Sequence, residues 1–101
     1  MKYYSSYKEA EEIAIQLFYQ QKHQEAIELL KDLMEEFPGN LYEIAWSLAI
    51  HYCSNGQYEK SLEMYQKALS LDHPQPEKIK EKIDEVKSLL KGQGSGKGKG
   101  K

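Results

Sequence analysis

Apolar positions along this chain recur at helical spacing, and the pattern then repeats. Ala10, Ile13, Ala14 and Leu17 fall at i, i+3, i+4 and i+7, one face of an α-helix, and Ala26, Ile27, Leu30 and Leu33 mark a second. A shift of 35 residues, Ala10 onto Ala45, carries these sets onto Ala45, Leu48, Ala49 and Tyr52, then Ser61, Leu62, Tyr65 and Ala68. A period of this length signals stacked helical units, each with an apolar face that it cannot bury alone. Polar segments at 20–22 and 55–57 separate the two helices of each unit, and the small residues Ala14 and Ala49 let the paired helices approach closely. Pro38-Gly39 closes the first unit and His73-Pro74 the second, because proline cannot continue a helix. Ser6-x2-Glu9 has the form of a capping box opening the first helix.

Two such units fall below the three or so that usually stabilise a stack, so something must cover the open end. Ile79, Ile83, Val86 and Leu90 supply an apolar stripe on a charged helix over about 76–91, with Pro76 suited to its first turn and Gly92 to a stop. The pattern therefore predicts one all-α domain over 1–91, built from five helices. Residues 92–101 contain only Gly, Gln, Ser and Lys and are expected to be disordered. They read either as an appended linker or as a natural basic extension toward an acidic partner.

The chain resembles the tetratricopeptide-repeat (TPR) family, whose pattern runs W-x2-L-G-x2-Y, then A-x3-F, then A and P. A second repeat at about 42–74 carries Leu48-Ala49-x2-Tyr52, Asn55-Gly56-x-Tyr58, Ser61-x3-Tyr65 and Ala68-Leu69-x-Leu71-Asp72. A more degenerate first repeat at about 7–38 carries Ile13-Ala14-x2-Leu17, Ala26-x3-Leu30, Leu33 and Pro38. The resemblance implies a superhelical stack of helix–turn–helix repeats that binds other proteins. Two departures stand out. Ala10 and Ala45 fill the tryptophan position of the pattern while Trp46 follows one residue later, and Pro74 also comes one residue late.

Charge narrows the partners. Residues 1–90 hold ten lysines against sixteen acids, a body charge of −6, and the chain has no arginine. An acidic body argues against nucleic acid, where affinity comes from neutralising phosphates. The single cysteine excludes an internal disulfide, and no apolar run approaches a membrane span. The start Met1-Lys2-Tyr3-Tyr4 has no signal-peptide core, so a soluble, cytoplasmic protein is expected.

Candidate chemistry is sparse. His51 and Cys53 are two residues apart on a helix, about 200° in rotation, so their side chains diverge. His23, His51 and His73 are far apart in sequence and form no ligand motif, and His23, at the place of Tyr58 in the other repeat, is expected to pack at the turn. Cys53 is expected to be a small buried hydrophobe. No enzyme, no cofactor and no metal site is expected.

The binding surface says more. In the family the first helix of each repeat lines a concave groove, and the helical wheel turns toward it Lys8, Glu11, Ile15 and Tyr19 in the first repeat. In the second it turns Glu43, Trp46, Ile50 and Ser54 the same way. Two isoleucines, a tryptophan and a tyrosine on an open face form a contact patch. Some relatives clamp a C-terminal carboxylate with groove lysines, arginine and asparagines. Glu11, Ile15 and Ser47 occupy those places here, so an apolar or amphipathic helix suits the groove better. The expected function is a protein–protein interaction module, an adaptor or scaffold. The alternative is a self-association unit that forms a homodimer. The helix over about 76–91 or the aromatic start Tyr3-Tyr4-Tyr7 could instead fold over the groove and make it core.

Overall fold

A computed structural model describes residues 4–71 and 74–98, with side chains described as far as Gly92. Its five α-helices are α1 (Tyr7–Tyr19), α2 (His23–Glu36), α3 (Leu41–Ser54), α4 (Tyr58–Ser70) and α5 (Pro76–Gly98). A 3-10 turn at Pro38–Asn40 joins α2 to α3. Consecutive helices pack as neighbours, α1 on α2, α2 on α3, α3 on α4 and α4 on α5. The result is two antiparallel helical hairpins followed by a fifth helix in the place where a third hairpin would begin.

The two hairpin turns show the repeat at atomic detail. At the end of α1, Lys22 N–H bonds the Leu17 carbonyl at 2.8 Å and Gln21 N–H bonds that of Phe18 at 2.9 Å. At the end of α3, Gln57 N–H bonds the Tyr52 carbonyl at 2.8 Å and Gly56 N–H bonds that of Cys53 at 3.1 Å. Both are Schellman caps, which satisfy the last carbonyls of a helix and need a left-handed residue between them. Gly56 takes it at φ +80° without cost, whereas Gln21 takes it at φ +61° with a side chain attached. At the chain start Ser6 caps α1 by accepting from Glu9 N–H at 3.3 Å. The reciprocal arm of the capping box does not form on Ser6. Glu9 reaches past it to Ser5, accepting from the backbone N–H at 2.7 Å and the hydroxyl at 3.0 Å.

Helix α3 separates two cores. Ile44, Leu48 and Tyr52 on one side meet Ala10, Ala14, Ile27, Leu30 and Leu33. On the other, Ala45 and Ala49 meet Tyr65 and Ala68 of α4 and Ile79, Ile83 and Val86 of α5. The Ser61 hydroxyl, fully buried between α3 and α4, donates to the Ala49 carbonyl at 2.7 Å, so its polarity is satisfied. Tyr4 and Tyr7 pack on Phe37, with ring centroids 6.4 and 5.8 Å away, and Tyr4 Oη donates to Glu36 at 2.8 Å. The described part of the aromatic start therefore closes the α2 end of the first core and leaves the groove uncovered. Tyr3 lies outside the described residues.

Helix α5 begins at Pro76, as the sequence predicts, but does not end at Gly92. Gly92 has no left-handed backbone to cap it, and the helix continues to Gly98. The expectation of a disordered tail over 92–101 falls partly on residues 99–101, outside the described ones. Leu90, the last member of the predicted stripe, is only half-buried, while Ile79, Ile83 and Val86 are buried.

Candidate functional site

The first helices of the hairpins, α1 and α3, and the helix in third place, α5, together line an open groove. Two pockets lie along it. The first, about 400 Å³ between α1 and α3, is lined by Glu11, Ile15, Phe18, Tyr19, Trp46, Ser47, Ile50 and His51, with Ala14 behind. The second, about 410 Å³, lies between α3, α4 and α5, with Cys53, Ser54, Tyr65, Lys78, Lys82, Glu85, Val86 and Leu89 around it. Trp46 and Ile50 line both and form the ridge between them.

Of the residues read from the sequence, the structure gathers Glu11, Ile15, Tyr19, Trp46, Ile50 and Ser54 around this ridge. Lys8 and Glu43 line neither pocket. Lys8 is exposed one turn before Glu11, and Glu43 is half-buried and accepts from the Asn40 amide at 2.7 Å. Reading the sequence missed the contribution of α5, because the repeat pattern ends before it and its groove side is mixed in charge. Helix α5 does not lie over the groove; it builds the second wall.

Exposure sets this face apart. Among the described residues the exposed large apolar side chains are Ile15 (47 %), Tyr19 (79 %) and Leu89 (46 %), and all three line the groove. Trp46 is half-buried, its ring meeting Tyr65 edge-on at 5.4 Å. One residue past the family position it rotates off the hairpin core, yet α4 supports it from below.

The structure brings together two histidines that the sequence keeps 28 residues apart. His23, at the start of α2, and His51, on α3, face each other with Nδ1 atoms 3.2 Å apart. One imidazole donates its Nδ1–H and the other accepts through a ring lone pair, which requires different tautomers. Phe18 meets both rings edge-on, at 5.4 and 5.3 Å, and clamps the pair at the end of the first pocket. His51 is buried, and desolvation, helped by His23, lowers its pKa to about 4. It is neutral in the groove wall. The packing role expected for His23 thus includes a polar partner that its spacing did not reveal.

Cys53 points away from this pair, toward α5, as the helix rotation requires. It is half-buried rather than fully enclosed, and its pKa is raised by burial first and by Glu85 next, which keeps the thiol protonated and unreactive. Among the described residues no group of three or more His, Cys, Asp or Glu could hold a metal ion, and no helix is long and apolar enough to cross a membrane.

The family model of the tetratricopeptide repeat matches residues 17–80, from the last turn of α1 to the first turns of α5. No curated protein and no solved structure matches the chain.

Proposed function

This chain belongs to the tetratricopeptide-repeat family, and from that premise we propose that the groove along α1, α3 and α5 is its protein-contact site. Tetratricopeptide repeats generally mediate protein–protein interaction and generally carry no chemistry of their own. The observation that supports this site is the placement of exposed apolar surface: Ile15, Tyr19 and Leu89 all flank the Trp46–Ile50 ridge. A small domain leaves such a patch uncovered where something else covers it. The fitting occupant is a helix or peptide with an apolar face, and the protein acts as an adaptor in the cytoplasm.

Substituting Trp46 by alanine tests the site. Interface aromatics of this kind carry about 2 kcal/mol or more of binding, so partner capture from a lysate of the source cell should fall sharply with Trp46→Ala. The helical content of the variant should stay close to that of the parent chain. Undiminished capture by a folded Trp46→Ala protein would move the contact site elsewhere.

A further inference from the structure

The two halves of the groove differ in charge. Among the described residues Glu11 is the one charged side chain lining the first pocket, since burial keeps His51 neutral. The Glu11 carboxylate makes no hydrogen bond and no ion pair among the described residues. Lys8, one turn away, makes no ion pair with it and stays outside the pocket. Glu43, though it lines neither pocket, is close enough that both carboxylates act on the Tyr7 phenol, whose hydroxyl is buried. Around Glu11 the walls are the rings of Phe18, Tyr19 and Trp46 and the side chains of Ile15 and Ile50. Across the ridge, α5 presents Lys78 and Lys82. Lys82 is paired with Glu85 at 3.7 Å, whereas Lys78 has no ion pair among the described residues.

An apolar pocket with aromatic walls and one unpaired carboxylate fits one kind of side chain well. A lysine or arginine lays its aliphatic stem on isoleucine, puts its cation against aromatic faces and reaches the carboxylate. The α5 side, with its free ammonium, favours the opposite charge. We propose that the groove takes an amphipathic helix whose apolar face rests on Trp46 and Ile50, whose basic residue enters the first pocket against Glu11, and whose acidic residue faces Lys78. This deepens the contact-site reading and rests on it. Charge complementarity selects this occupant: a ligand with a free carboxylate is repelled by Glu11, and a second copy of the chain brings another acidic body to an acidic rim.

Three blocked helical peptides with the same leucine and isoleucine stripe test it. One carries arginines at the end that meets Glu11, one glutamates at the opposite end that meets Lys78, and one glutamines at both, and Trp46, the single tryptophan, reports binding by its emission. The arginine peptide should bind about five-fold more tightly than the glutamine peptide, the scale of one half-buried ion pair. Glu11→Gln should erase that difference by weakening the arginine peptide. Lys78→Gln should weaken the glutamate peptide alone. Should Glu11→Gln lose its helical signal, the salt dependence of the parent protein takes its place: only the arginine and glutamate peptides should weaken as salt rises. Equal affinity for the arginine and glutamine peptides would overturn the charge scheme and leave the groove standing as an apolar contact. No change in Trp46 emission with any peptide would overturn the groove itself. A Trp46 signal that follows protein concentration without peptide would put a second copy there and overturn the helix.

Discussion

At His51 the fold holds an imidazole in its neutral form, and that choice makes stability depend on pH. The unfolded chain takes up a proton near pH 6.5, whereas burial and His23 delay that proton in the fold to about pH 4. The folded state therefore keeps the full contribution above 6.5 and loses it as pH falls from 6.5 toward 4. The loss is on the order of 2–3 kcal/mol, a large share of the stability of a domain this small. Denaturant titrations between pH 7 and 4 should show this fall, and His51→Gln should flatten it. A second single-residue effect sits in the hairpin turn. Gln21 holds the left-handed conformation that Gly56 holds in the other repeat, so Gln21→Gly should raise stability by about 0.5–1 kcal/mol, readable as a higher denaturation midpoint. The two positions differ in how far the sequence revealed them. Asn55-Gly56 announces its turn by composition, and the 35-residue register carries that turn onto Gln21. Nothing in the spacing of His23 and His51 announces their contact, because it depends on how one hairpin docks against the next.

Helix α5 is held to the rest by Ile79, Ile83 and Val86, which bury against Ala45, Ala49, Tyr65 and Ala68. Without it those residues of α3 and α4 face water, at about 25 cal/mol for each Å² of apolar surface uncovered. A chain ending after Pro74 should aggregate or lose helical signal, while one ending after Lys91 should melt like the full chain. A soluble 1–74 fragment with a cooperative melt would show that α5 is dispensable. On the other face of α3, Leu48 is 1 % exposed in the first core, so Leu48→Ala should cost about 2–5 kcal/mol, against half a kcal/mol or less for the exposed Glu63→Ala. Elements were the most legible level of this protein. Apolar residues recurring at helical spacing located every helix, because amphipathic periodicity is imposed by burial and burial is what each hairpin shares with its neighbour. The end of α5 was less legible, since Gly92 can stop a helix only by turning left-handed, and here it does not. The groove face of α5 was also missed. Lys78, Lys82 and Leu89 look in sequence like an ordinary solvated face, and their role as a wall follows only from where α4 places the helix.

For the whole molecule the question is whether the groove stays open in the free chain. Its two pockets lie on one continuous face, the aromatic residues at the described start are engaged at Phe37, and α5 stands beside the ridge. The described residues thus leave Ile15 and Tyr19 in water. A second copy would have to bring its own body, which carries −6 over residues 1–90, against a groove whose first pocket is lined by Glu11. Like charge of this kind weakens self-association at low ionic strength and weakens it less as salt screens it. Trp46 separates the cases, since it stands on the ridge and is half-buried by Tyr65 even when the groove is empty. A neutral quencher such as acrylamide should therefore reach it to an intermediate degree, less than free tryptophan and more than a core residue. That degree should stay constant as the protein is concentrated through the micromolar range in low salt, with light scattering reporting a monomer throughout. Quenching that falls as concentration rises, together with a doubled mass, would mean that two copies close the groove on each other and that the domain is a self-association unit.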